Sequence, residues 1–238
     1  MFRRAFAGPA AALSLGLAAS AGGEVVIDAF VTQQILQLPA GSALSTFGAV
    51  AAGDVLGGER DAEISRVNGN DAVELLVNPV GDELLSCSAS AGTTVIWRVT
   101  WDGPDGAAEV DPDGLGGVDL TQGGANEGFL LAVSADVPAT IEIAVTGAAG
   151  GTTTGSLSLP GGQPELQDRF LPFTEFDEPG LLADAGSVSL VLSGSAGLDA
   201  QIDGLRVPEA EGAAAAVAAL CALLALTRRG DNAARPRG

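Results

Sequence analysis

The chain has 238 residues, with 11 basic against 30 acidic side chains, a formal net charge of −19, and neither histidine nor tyrosine. All its basic residues are arginine. These absences remove Ser-His-Asp and Cys-His catalysis, lysine Schiff bases and histidine-bearing zinc sites together, and so acidic a surface repels nucleic acid and anionic lipid.

Residues 1–21 have the parts of a secretory signal peptide in order. Arg3 and Arg4 supply the positive start, Ala10 to Ala19 the apolar segment, and Ala19-Ser20-Ala21 a small-x-small cleavage site. The apolar segment is short for a membrane span, so the expectation is cleavage after Ala21 and a mature chain starting at Gly22.

Residues 22–206 read as one domain, with no proline-rich or serine-rich linker to divide them. Only Arg60, Arg66, Arg98, Arg169 and Arg206 are basic within this stretch, so the body is more acidic than the whole chain. Aromatic residues are 4% of the sequence, which leaves Val, Leu, Ile and Ala to build the core. Cys87 is the only cysteine ahead of the tail, so the body has no disulfide of its own. In Leu85-Ser86-Cys87-Ser88-Ala89 it falls on the apolar side, as a buried small residue rather than a reactive thiol.

The dominant signal in the body is period two. Val95, Trp97, Val99 and Trp101 share one face of a half-buried strand. Further strands are predicted at Val25 to Phe30, Asp61 to Val67, Ala72 to Val77, Glu83 to Ala89, Phe129 to Ser134, Thr140 to Thr146, Gly155 to Leu159, Ser187 to Leu192 and Leu198 to Leu205. Asn68-Gly69-Asn70-Asp71 carries a hairpin-turn signal. No long amphipathic helix competes. The fold class that follows is all-β, an antiparallel two-sheet β-sandwich of jelly-roll-like type. At strand spacing on one face, Trp97 and Trp101 read as core rather than as a sugar-stacking platform. Glu59-Arg60-Asp61 reads as a surface ion pair worth under about 1 kcal/mol.

One loop offers chemistry. Asp102, Asp105, Glu109, Asp111, Asp113 and Asp119 follow Trp101 closely, interleaved with glycines. Calcium takes six to eight oxygens from carboxylates and carbonyls and tolerates irregular loops, which makes Asp102, Asp105, Asp111, Asp113 and Asp119 candidate ligands for Ca2+. The spacing is not that of an EF-hand. The competing reading is that Asp-Gly pairs make turns and their charge is solvated. Carboxylate pairs can also drive glycoside hydrolysis, but nothing singles out one pair among so many acids. No catalytic residue is assigned and no enzyme is expected.

Residues 207–238 form a distinct tail. Val207-Pro208-Glu209 precedes an apolar stretch at 213–226, with Cys221 in its middle, and Arg228-Arg229 follow, joined by Arg235 and Arg237. Ala- and Leu-rich, the stretch is expected to be helical and, by the positive-inside rule, to leave its arginine end in the cytoplasm. This layout resembles the PEP-CTERM sorting signal, departing from it at Ala210, where a second proline is usual. The resemblance implies recognition by an exosortase-like membrane transpeptidase, with Val207, Pro208, Glu209, Arg228 and Arg229 as the sorting residues, and membrane contact only through the tail before processing. More loosely, Gly57-Gly58-Glu59-Arg60-Asp61, Trp101 to Gly106, Gly114 to Thr121 and Asp199 to Leu205 resemble uncharacterised ectodomains that precede such tails, which implies a secreted β-sandwich and transfers no catalytic residue. The function expected is therefore a non-catalytic structural or interaction protein of the bacterial cell surface or extracellular matrix. The alternative is a calcium-dependent carbohydrate-binding module associated with extracellular polysaccharide.

Overall fold

The structure is a computed structural model that describes residues 23–42 and 44–209. The predicted cleavage residues Ala19 and Ala21, the apolar stretch 213–226 and Arg228-Arg229 lie outside the described residues. Among the described residues no helix is long and apolar enough to cross a membrane.

Period-two alternation carries the described chain into strands β1 (Val25–Asp28), β2 (Gln34–Leu38), β3 (Ser45–Ala51), β4 (Glu59–Asn68), β5 (Val73–Val77), β6 (Leu85–Ala89) and β7 (Thr94–Trp101). After a long connection come β8 (Gly128–Ala135), β9 (Ala139–Gly147), β10 (Thr152–Leu159), β11 (Gln163–Pro172), β12 (Ala185–Gly194) and β13 (Asp199–Val207). A seven-stranded sheet, sheet A, runs β11-β8-β13-β6-β5-β2 with β1 also on β13, and a six-stranded sheet, sheet B, runs β10-β9-β12-β7-β4-β3. Set side by side, the two orders match consecutive strands: β11 with β10, β8 with β9, β13 with β12, β6 with β7, β5 with β4, β2 with β3. The result is the antiparallel two-sheet sandwich expected from the sequence.

Inward-facing residues of both sheets form one apolar core. Trp97 is 2% exposed and Trp101 0%. Their indole N–H groups donate to the Glu74 carbonyl at 3.1 Å and to Asp28 Oδ2 at 2.9 Å, so both tryptophans are core anchors with their polar atoms satisfied. Phe129, Phe173 and Phe176 pack as a second aromatic group, with the first pair edge-on at 5.4 Å.

Two expectations are corrected. The turn at Asn68-Gly69 exists, with Gly69 at φ 84° and its N–H bonded to Asn68 Oδ1 at 2.8 Å. It does not close a hairpin, however: β4 lies in sheet B and β5 in sheet A, so the turn carries the chain across the core. A local turn signal fixes the reversal but not which sheet the next strand joins. Three strands went unpredicted, β2, β3 and β11, and all three end a sheet's pairing order. β2 does alternate between buried and exposed positions, but its residue types do not follow that alternation. In β2 it is Gln34 that is buried and Ile35 that is exposed, the reverse of a simple polar-out pattern.

Candidate functional site

The connection from Trp101 to Gly128 folds back over the outer face of sheet B. Its closeness is set by glycine. A Cβ on Gly114 would overlap the Asp102 carbonyl oxygen, and one on Gly186, in β12, would overlap the Pro112 carbonyl oxygen. Backbone bonds from Leu115 N–H to Gly186 O at 2.9 Å and from Val118 N–H to Ala185 O at 2.8 Å fasten the loop to that strand. The loop therefore roofs the outward side chains of β4 and β7.

Under the roof lies an acidic centre. Strand alternation in β4 turns Arg60, Ala62 and Ile64 inward, all fully buried, and leaves Glu59, Asp61 and Glu63 on the outer face. One carboxylate oxygen from each of Glu59, Asp61 and Asp105 lies within 4.8 Å of the others. Asp102 adds a fourth carboxyl group, lying against that of Asp61. Asp61 is 4% exposed and Asp102 1%. Among the described residues neither Asp61 oxygen has a hydrogen-bond partner, nor does Asp102 Oδ1; Asp102 Oδ2 accepts the Asp111 N–H at 2.8 Å. Burial first, then the neighbouring Asp102, Glu59 and Asp105 carboxylates, push the Asp61 carboxyl far above the usual carboxylate range. Burial raises Asp102 as well, against the lowering effect of the bond from the Asp111 N–H.

The loop acids divide into three groups. Asp102 and Asp105 join the centre. Asp111 and Asp119 are spent on local turns: Asp111 Oδ1 accepts the Asp113 N–H at 2.9 Å, and Asp119 accepts from the Thr121 N–H at 2.9 Å, the Thr121 hydroxyl at 2.6 Å and the Gly123 N–H at 2.8 Å. The Thr121 hydroxyl, above all, holds the Asp119 carboxyl below its ordinary range. Asp113 and Glu109 are exposed. Sequence reasoning missed Glu59 and Asp61, because the centre draws on a strand as well as on the loop.

The expected surface ion pair is also corrected. Arg60 is fully buried and forms a forked pair with Asp28, from Nε at 2.6 Å and from Nη2 at 3.0 Å, with a third bond from Nη1 to the Thr32 carbonyl at 2.9 Å. The residue shares parity with Ala62 and Ile64, a signal present in the sequence.

The void beside Asp61, lined by Phe47, Glu63, Arg98, Thr100 and Ala108, measures about 10 Å³. That admits about one water-sized particle and no sugar ring, so the touching Asp61 and Asp102 do not make a glycosidase cleft. A larger groove, about 340 Å³, lies across one end of sheet A. Its lining includes Ser86 and Ser88 of β6, Ser134 of β8, Gln163 of β11, Asp199 and Gln201 of β13 and Asp136, and no aromatic residue. Two of its acids are already engaged: Ser88 Oγ donates to Asp199 at 2.6 Å, and the Asp199 N–H donates to Asp136 at 2.8 Å.

Fold and sites together define an acidic two-sheet β-sandwich with a roofed carboxylate centre on one sheet and a groove on the other. No protein-family model matches the chain, and no curated protein matches it. Among solved structures, a family 11 carbohydrate-binding module from Clostridium thermocellum, in complex with a β-1,3-1,4-mixed-linked tetrasaccharide, is 11% identical. That match covers 79% of this chain and 96% of that one, with a TM-score of 0.37. A variant of a family 29 carbohydrate-binding module is 10% identical over 68% of this chain and 91% of that one, TM-score 0.35. An exo-β-agarase is 10% identical over 78% of this chain but only 25% of its own length, TM-score 0.41. Likenesses at these identities and scores carry nothing about ligand or activity.

Proposed function

We propose that the chain is an exported, non-catalytic β-sandwich of the bacterial surface or extracellular matrix that binds a neutral polysaccharide in the groove of sheet A. Export and sorting rest on the two ends of the sequence, and they make an exosortase-like enzyme the processing partner. The observation that carries the binding reading is the groove's lining of hydroxyl, amide and carboxylate groups on neighbouring strands, with a volume in the range of ligand sites. Such groups exchange hydrogen bonds with sugar hydroxyls. The acidic body turns away anionic polymers.

Retention of the purified chain on gels of neutral polysaccharide, with an acidic polysaccharide as the counter-case, tests this. Each hydrogen bond lost to a ligand costs about 0.5–1.5 kcal/mol, so the double variant Gln163→Ala, Gln201→Ala is expected to weaken retention about tenfold. Retention unchanged in the double variant would remove the groove from the reading. The lack of an aromatic in the lining favours a second reading, a purely structural surface protein, and no retention on any gel would select it.

A further inference from the structure

We propose that Glu59, Asp61 and Asp105, with Asp102 against Asp61, form a calcium site that pins the β7–β8 connection onto strand β4. This goes beyond the groove reading and does not depend on it. It also differs from the ligand set expected from the loop sequence, since Asp111, Asp113 and Asp119 take no part.

The first support is convergence. Two residues of a strand and one of a distant loop bring carboxylate oxygens within 4.8 Å of one another, an arrangement that like charges oppose unless something positive lies among them. The second, independent support is the state of Asp61. It is nine-tenths buried, belongs to that same trio, and among the described residues has no donor on either oxygen. Buried carboxylates are ordinarily paired, hydrogen-bonded or bound to metal.

Among the described residues, the two arginines beside it in sequence or space are engaged elsewhere. Arg60 points to the opposite face and is held by Asp28, and Arg98 is paired with Glu63 at 3.3 Å. Glu59 and Asp105 are each half-committed: Glu59 Oε1 accepts the Gly106 N–H at 2.6 Å and Asp105 Oδ1 accepts the Ala107 N–H at 2.8 Å. Those bonds orient both carboxylates and leave the second oxygen of each for an ion. An all-oxygen set drawn from a strand and a loop suits calcium, which tolerates varied geometry and completes its shell with water, better than magnesium, which demands a near-ideal octahedron. With no histidine in the chain and Cys87, the only cysteine among the described residues, buried in the core, those residues offer no side-chain nitrogen or sulfur donor of the kind softer metals prefer.

The test is thermal unfolding of the purified full chain, stripped with EDTA and then titrated with CaCl2, beside MgCl2 and NaCl at matched ionic strength. At a hundredfold excess over the dissociation constant, calcium is expected to raise Tm by about 5–10 °C, magnesium by less and sodium not at all. Elemental analysis after gel filtration is expected to find one calcium per chain. Asp61→Asn and Asp105→Asn should abolish the rise, while Asp113→Asn keeps it. Asp105 is exposed, so its variant carries the test even if Asp61→Asn does not fold. Absence of a calcium-specific rise in the wild type overturns the proposal, as does a rise that survives Asp105→Asn. A wild type indifferent to calcium whose Asp61→Asn variant is more stable would mean that Asp61 and Asp102 share a proton instead of an ion.

Discussion

Arg60 is a charge taken wholly inside the sandwich, and the surrounding groups account for its being tolerated. Its fork meets both oxygens of Asp28, and Asp28 also takes the Trp101 indole N–H at 2.9 Å and the Phe30 N–H at 2.7 Å. The guanidinium lies 5.7 Å from the centre of the Phe30 ring. A buried pair this well satisfied is costly to break from one side, because the surviving charge is left uncompensated. Asp28→Ala is therefore expected to lose about 3–5 kcal/mol of stability in denaturant unfolding, and the double variant Asp28→Leu, Arg60→Met to recover part of it. A loss below about 1 kcal/mol for the single variant would mean that the pair is hydrated. Half of this network was legible in the sequence. Alternation places Arg60 with Ala62 and Ile64, but its partner lies 32 residues away and belongs to the other sheet's first strand. No periodicity joins two such positions. Cys87 was legible for the opposite reason: its reading needed only its neighbours, and it is buried and free as expected, with burial pushing its thiol up out of the reactive range.

At the scale of elements, the β7–β8 connection depends on two places where backbone presses on backbone. Gly114 sits against Asp102, and Gly186 against Pro112. Neither contact leaves room for a methyl group. Gly114→Ala is expected to cost at least about 1–3 kcal/mol and to expose the loop to limited proteolysis, whereas Gly116→Ala, with nothing within 4 Å of its added methyl, should lose only what its φ of 68° demands. Equal proteolysis of the two variants would remove the close approach as the cause. The sequence showed a glycine-rich acidic loop but not where it lies, since a glycine that permits a turn and one that permits contact look alike. The strands divide in the same way. Central strands such as β7 and β9 announce themselves by alternation, with Ile141, Ile143 and Val145 all buried on one side of β9. Edge strands such as β11, largely exposed along its length, carry no such code because one flank has no neighbour to exclude water.

Across the whole molecule, the body closes on itself at Val207. This residue, the first of the proposed sorting motif, is the last of β13; it is 0% exposed and pairs with Val25 of β1, so the folded unit reaches one residue into that proposed motif. Burying a valine contributes about 1.5–3 kcal/mol. A chain ending at Arg206 is expected to unfold at lower denaturant than one ending at Glu209, by about that amount, and equal stabilities would place Val207 outside the cooperative unit. Any sorting enzyme that left the sandwich intact would have to cut after Val207. Mass spectrometry of surface-released protein would therefore find that residue retained.

Because β13 is a single strand running from the groove to the tail, it also sets a direction for the molecule. Asp199 and Gln201 line the groove at the strand's beginning, while Pro208 and Glu209 leave from its end, about 26 Å away at the usual rise per residue. A chain tethered by whatever follows Glu209 would thus hold its groove at the far pole, lifted clear of the support by the length of one strand. The carboxylate centre adjoins Arg60 and Trp101, whose shared partner Asp28 pairs with Leu205 near the strand's end, and so falls toward the tethered pole. Under such a tether the sandwich would have a foot and a head, with β13 as the post between them.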